Sequence, residues 1–137
     1  MSTAVLIKKT ARLLEKRTND ILRPHRITHG FMHFLMALYE QNGMNQTELQ
    51  KVVEIEQPTV VRTLDRMARN GLIVRRRCPT DRRVFNIFLT ERGTACKSAV
   101  LACSAELNRI LLLGLEAGDK EGVHQQIKSL LLNLEVN

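Results

Sequence analysis

From Thr3 to Leu22 the apolar residues Ala4, Ile7, Ala11, Leu14, Ile21 and Leu22 follow a helical period, and Pro24 closes the segment. Thr28 is placed to cap a second helix running to about Gln41, on which Phe31, Phe34, Leu35 and Leu38 form one inward stripe before Gly43 breaks it. Two shorter helical patterns follow, joined by a turn from Glu54 to Gln57. Asn45 caps the first, which turns Leu49 and Val52 or Val53 inward. The second carries Pro58 in its first turn, where a missing N–H is tolerated, and Gly71 just past its end, where a left-handed residue is needed. Val60, Leu64 and Met67, spaced by four and three, make its buried face and leave Thr59, Arg62, Thr63 and Arg66 outward.

Helical periodicity then gives way to β-prone runs. Leu72 to Arg77 and Val84 to Leu89 flank the polar stretch Cys78-Pro79-Thr80-Asp81-Arg82-Arg83, the pattern of a hairpin. Thr90 can cap a long helix from Glu91 to about Leu115, with Ala95, Ala99, Ala102, Leu107, Ile110 and Leu111 as its apolar stripe. Asp119 opens a last helix with Val123, Ile127, Leu130, Leu131 and Leu134 inward. The expected fold is mainly α with a small β-hairpin wing: a winged helix-turn-helix over residues 28–90, flanked by helical segments 1–27 and 91–137. The winged core can close on itself. The flanking segments leave apolar area that a symmetric copy would cover, so they are read as the dimerisation region of a homodimer.

A chain of 137 residues, 44% apolar and 26% charged, is about one soluble domain and long enough to bury a core without staples. Its charge is concentrated. Between Gln57 and Arg83, eight arginines (62, 66, 69, 75, 76, 77, 82 and 83) stand against Asp65 and Asp81, a net +6 of the chain's formal +7. With four Phe, one Tyr and no Trp, no aromatic platform for stacking single-stranded bases lies beside the arginines. The phosphate backbone of double-stranded DNA is the better-matched partner. The apolar run Ala4 to Ile7 before Lys8 is too short for a signal peptide or a membrane span, so the chain is expected in the cytoplasm with no membrane partner.

In a helix-turn-helix the second helix enters the major groove with its amino-terminal residues on base edges, here Gln57, Thr59, Arg62 and Thr63. A planar guanidinium can donate two parallel hydrogen bonds to a guanine, and Arg62, one turn in, is placed for that. Arg66 and Arg69 lie further along, toward phosphates. At the hairpin tip Asp81 and Arg83 are two residues apart and can emerge on the same side. The carboxylate would brace Arg83 for the minor groove, whose narrow regions attract an inserted arginine, with Arg82 on the flanking phosphate. The plainer alternative is a solvated basic face, with Asp65 as an intrahelical partner of Arg62 and Arg69 and an ordinary ion pair at the tip. Six net charges on one segment exceed what solubility needs.

The stretch IEQPTVVRTLDRMARNGLIVRRRCPTDRRVFNIFLTERG resembles the DNA-binding core of the MarR family of bacterial transcription regulators, most closely its SlyA branch. The family's wing signature, Asp-x-Arg, five residues, Leu-Thr-x-x-Gly, is met by Asp81, Arg83, Leu89, Thr90 and Gly93. The resemblance is strong from Asn45 to Gly93 and elsewhere rests on helix order and length. It implies a winged helix-turn-helix homodimer on a pseudo-palindromic operator, with the residues matching Pro58 and Arg62 in the major groove and that matching Arg83 in the minor groove. Family members commonly respond to phenolic acids or other lipophilic compounds, so a small aromatic or lipophilic effector is implied too. Met32 stands where the SlyA branch carries a Trp.

Other chemistry finds few candidates. His29 and His33 are one helical turn apart, but no further ligands accompany them at recognisable spacing, so neither metal nor other cofactor is expected. Three cysteines without a CxxC pair give neither a disulfide framework nor a zinc knuckle; Cys78 lies in the arginines' positive field, which favours thiolate, and Cys96 and Cys103 read as small core residues. No nucleophile elbow, phosphate loop or carboxylate pair supports an enzyme. The rival from another class is a winged-helix protein-interaction module docking an acidic partner.

Overall fold

The computed structural model describes residues 1–136. Among them are helices α1 (Thr3–Leu22), α2 (His29–Glu40), α3 (Gln46–Val53), α4 (Gln57–Arg69), α5 (Glu91–Ala95), α6 (Lys97–Leu111) and α7 (Ala117–Val136). Strands β1 (Ile73–Arg77) and β2 (Phe85–Leu89) form an antiparallel hairpin, and a 3-10 turn (Arg23–His25) links α1 to α2. The chain divides into two compact units, Met1–Ala105 and the remainder from Glu106.

In the first unit α2 contacts α1, α3 and α4. Its Phe34, Leu35 and Leu38 belong to one buried set with Leu49 of α3, Val60, Leu64 and Met67 of α4, and Leu72, Ile73 and Ile87 of the hairpin region. The caps explain most boundaries. Asn45 and Glu48 form a reciprocal capping box at α3, and Gly71, at φ 72°, takes the left-handed position that lets the chain leave α4. Thr28 occupies the N-cap position of α2 but its side chain makes no capping bond; the α2 amide of His29 donates instead to Asn19 Oδ1 of α1, 2.8 Å away. A helix–helix contact thus replaces the local cap expected from sequence.

The hairpin pairs Ile73 with Leu89 through Arg77 with Phe85. Its β2 strand has a second neighbour on its other edge: Gly43 N–H donates to Ile87 O, Ile87 N–H to Met44 O, and Asn45 bridges Asn86. Gly43 has φ 85°, and a Cβ there would lie 2.8 Å from the Phe88 ring, so the loop edge can seat on β2 only with glycine.

On α3, Leu49 is buried and, of the two valines the sequence left open, Val53 is half-buried and Val52 exposed. Two details of helical packing differ from the sequence expectation. The long helix after the wing is interrupted at Cys96, whose φ −79° and ψ −6° end α5 before α6 begins. That interruption changes the helical phase. The buried positions are Cys96, Val100 and Cys103, while Ala95, Ala102 and Leu111 are exposed and Ala99, Leu107 and Ile110 half-buried. On α7, Val123 is half-buried and Ile127, Leu130, Leu131 and Leu134 are exposed, not inward. No described helix is long and apolar enough to cross a membrane.

Candidate nucleic-acid interface

The face of α4 opposite Val60, Leu64 and Met67 carries the sequence-selected residues. Gln57, Pro58, Arg62 and Arg66 are exposed, and Thr59 and Thr63 are half-buried. Burial of the apolar triplet fixes the helix's rotation, so these side chains face outward without needing partners of their own. Arg66 reaches back over the Phe31 ring of α2, 5.6 Å from its centroid, and so lies on the domain surface at the carboxyl end of the helix.

At the wing tip, Asp81 and Arg83 come together as their spacing suggested. Arg83 Nε lies 3.2 Å from Asp81 Oδ1 and Nη2 3.4 Å from Oδ2, while the Arg83 amide also donates to Oδ1 at 3.1 Å. The Arg83 guanidinium, and next its amide, hold the Asp81 carboxyl below the usual carboxylate range. The Arg83 side chain is 91% exposed despite this brace, so it is aimed and still available. Arg82 is exposed beside it, and its carbonyl accepts from Arg77 Nη1, which closes the loop across its base. Arg77 also lies over Phe85 and Arg76 over Phe88, at 4.8 and 5.5 Å.

Helix and wing are joined by a contact that sequence spacing did not reveal. Asp65 Oδ1 accepts from Arg75 Nη2 at 2.7 Å, linking α4 to β1. The plain alternative gave Asp65 to Arg62 and Arg69 within the helix; the structure sends its carboxylate across to the strand instead. Further back, Thr90 donates from its hydroxyl to Gly71 O and from its amide to Leu72 O, while Gly93 N–H donates to Thr90 Oγ1. Arg92 donates to Asn70 O and His25 O. Tyr39 OH donates to Gly93 O at 2.7 Å; burial, and next the charge of Cys96, push its pKa up to about 12, so it stays a neutral donor. The only sequence signal for this junction is the Leu-Thr-x-x-Gly signature, in which Arg92 is a variable position.

The remaining candidates separate. His29 Nε2 lies 3.8 Å from Glu15 Oε2, whereas His33 lines an open groove of about 260 Å³ with Met36, Ala37, Glu40, Val52 and Val53. No group of three or more potential metal ligands occurs among the described residues. Cys96 and Cys103 are buried, and burial raises the Cys103 thiol. The Cys78 thiol is lowered, first by its side-chain hydrogen bond with Thr80, 3.2 Å away, then by backbone bonds at Thr80 and Asp81, with the Asp81 charge opposing. Hydrogen bonds rather than the arginine field are the cause.

Residues 27–85, which span α2 to the start of β2, match the model of the MarR family. Among solved structures, a mutant MarR from E. coli complexed with operator DNA is 25% identical over 93% of this chain and 92% of that one, with a TM-score of 0.85. MepR of S. aureus, in a complex with DNA, is 24% identical over 97% of this chain and 98% of that one, at 0.90. The transcriptional regulator SlyA also scores 0.90, at 19% identity over 98% of this chain and 94% of that one. Residues 27–85 are therefore similar to the MarR family, and the chain as a whole has the winged-helix fold of these structures.

Proposed function

We propose that the protein is a sequence-specific, double-stranded-DNA-binding transcriptional regulator that acts as a homodimer on a pseudo-palindromic operator. One observation carries the reading: a segment of net charge +6 folds into an exposed helix face and a braced, exposed arginine at a wing tip, two projections suited to adjacent grooves. Gln57, Pro58, Thr59, Arg62 and Thr63 face bases in the major groove, Arg66 and Arg82 meet phosphates, and Arg83, held by Asp81, enters the minor groove. DNA complexes of MepR and of the E. coli MarR mutant, on the same fold, support the assignment. Segments 1–27 and 91–137 serve dimerisation and 28–90 DNA binding. The exposed Leu6, Ile7, Leu13, Leu130, Leu131 and Leu134 are the apolar area a second copy would cover. The setting of that work is the cytoplasm. The wing and recognition-helix residues favour the SlyA-like branch, with a small aromatic or lipophilic effector that prefers one separation of the recognition helices over another.

Selection of bound fragments from random duplex, followed by a salt titration, tests this directly. The recovered site should be two-fold symmetric. With ~3 to 5 phosphate contacts per subunit, log affinity against log salt should have a slope of about −5 to −9. A slope shallower than about −2 overturns the DNA reading in favour of docking to an acidic protein.

The brace gives a test of opposite sign. Asp81→Ala removes a negative charge from a DNA-facing tip, so simple electrostatics predicts tighter binding. The geometry predicts weaker operator binding, because Arg83 loses the carboxylate that aims it. Arg83→Ala should cost more than Arg82→Ala, since the minor groove focuses potential. Because the folded-state Asp81 pKa is depressed, the brace is complete above the ordinary carboxylate value and is lost only as pH falls through the lower, folded value. Competition titrations on the selected operator decide the sign.

A further inference from the structure

We propose that Arg92 is a positioning residue for the recognition helix: its guanidinium joins the carbonyl at the end of α4 to the carbonyl at the elbow between α1 and α2, so that a shift of the elbow is passed to α4. The role in DNA reading rests on the function proposed above.

Arg92 sits in the first turn of α5 and is half-buried. Its Nη1 donates to Asn70 O at 2.7 Å and its Nη2 to His25 O at 2.8 Å. Asn70 is the C-cap of α4, where backbone carbonyls lack helical partners and carry the negative end of the helix dipole. His25 is the last residue of the 3-10 turn that follows α1. Two charge-assisted bonds from one planar group fix the separation and relative direction of the two carbonyls, which the compact ammonium of lysine cannot reproduce.

Both anchor points are connected to functional surfaces. The elbow is closed on itself by Arg26 N–H to Arg23 O and held to α1 through Ile27 N–H to Leu22 O, with Leu22 and Ile27 buried. Beyond it, α1 carries the exposed Val5, Leu6, Ile7 and Leu13. At the other anchor, Asn70 N–H and Nδ2 both donate to Arg66 O, so the carbonyl that Arg92 holds belongs to the last turn of the DNA-facing helix. Thr90 secures the next two carbonyls, at Gly71 and Leu72, to the start of α5. Arg92 extends that junction to α1. A rearrangement at a dimer contact on α1 thereby gains a short route to the angle of α4, through the elbow and one side chain.

Arg92→Gln and Arg92→Lys in the full chain test the clamp, with thermal melting to confirm folding. In the DNA-free Arg92→Gln protein, amides at both anchors, Arg26 and Ile27 on one side and Asn70, Gly71 and Leu72 on the other, should exchange about fivefold faster or more, while Leu35 and Leu38 keep their protection. Operator affinity should fall about tenfold with random-duplex affinity changed less than about twofold, and Arg92→Lys should be intermediate in both measurements. Faster exchange confined to one anchor, or unchanged at both, overturns the coupling. So do parallel losses on operator and random duplex. A parent protein that prefers no duplex sequence would defeat the DNA function by itself, and the exchange pattern would still decide whether Arg92 couples the two segments.

Discussion

Arg62→Lys should weaken binding to the selected operator by about 1 to 3 kcal/mol per half-site, and so by about twice that for a dimer engaging both, while binding to random duplex hardly changes. The substitution keeps the charge and nearly the length of the side chain. What it removes is a planar fork able to give two parallel hydrogen bonds to one guanine edge. Arg62 is suited to this role by its place: it is exposed, one turn from the start of α4, and the buried Val60 and Leu64 on either side fix the direction in which it leaves the helix. Asp65, which could have neutralised it, is engaged with Arg75 at 2.7 Å. The measurement is a pair of titrations at one salt concentration, because phosphate contacts respond to salt and base contacts much less. Equal losses on operator and random duplex would make Arg62 a phosphate contact and move base reading elsewhere on the helix.

The elements proposed to face DNA were legible in the sequence because their signals are local. Pro58 in the first turn, Gly71 after the last and an apolar triplet at spacings of four and three determine where α4 begins, ends and faces. The Asp81–Arg83 contact follows from two residues of separation in an extended tip. Less was legible wherever a side chain reaches another element. Asn19 displaces Thr28 as the cap of α2 only because α1 returns alongside it. Asp65 finds Arg75 only once β1 runs past α4, and the partners of Arg92 are backbone carbonyls, which no residue pattern records. The helix break at Cys96 likewise belongs to tertiary structure, since Ala-rich sequence on both sides is helix-prone, and it moves burial onto Cys96, Val100 and Cys103. On α7 the periodicity placed Ile127, Leu130, Leu131 and Leu134 inward and the structure leaves them exposed, because a period marks a face and does not say what covers it.

Gly93→Ala should destabilise the protein by about 2 to 4 kcal/mol, against the sign that helix propensity gives. Gly93 is helical and buried in α5, and alanine is normally better than glycine in a helix by about 1 kcal/mol. Here a Cβ would overlap the Leu72 carbonyl oxygen and lie 3.2 Å from its carbon. The obstacle is backbone, so no rotamer change relieves it. Moving Leu72 O would strain the bond it accepts from Thr90 N–H, at 3.1 Å, and with it the neighbouring bonds of Thr90 to Gly71 and Arg92 to Asn70. The loss should therefore appear both as a melting temperature lower by roughly 8 to 15 °C and as weaker operator binding, because the junction that fails is the one behind α4. Gly122→Ala is the internal comparison: it lies within α7, a Cβ there meets nothing within 4 Å, and it should stabilise by about 0.5 to 1 kcal/mol. If both substitutions raise the melting temperature, α5 does not approach Leu72 as closely as described, and the wing signature's last glycine has no steric reason to be there.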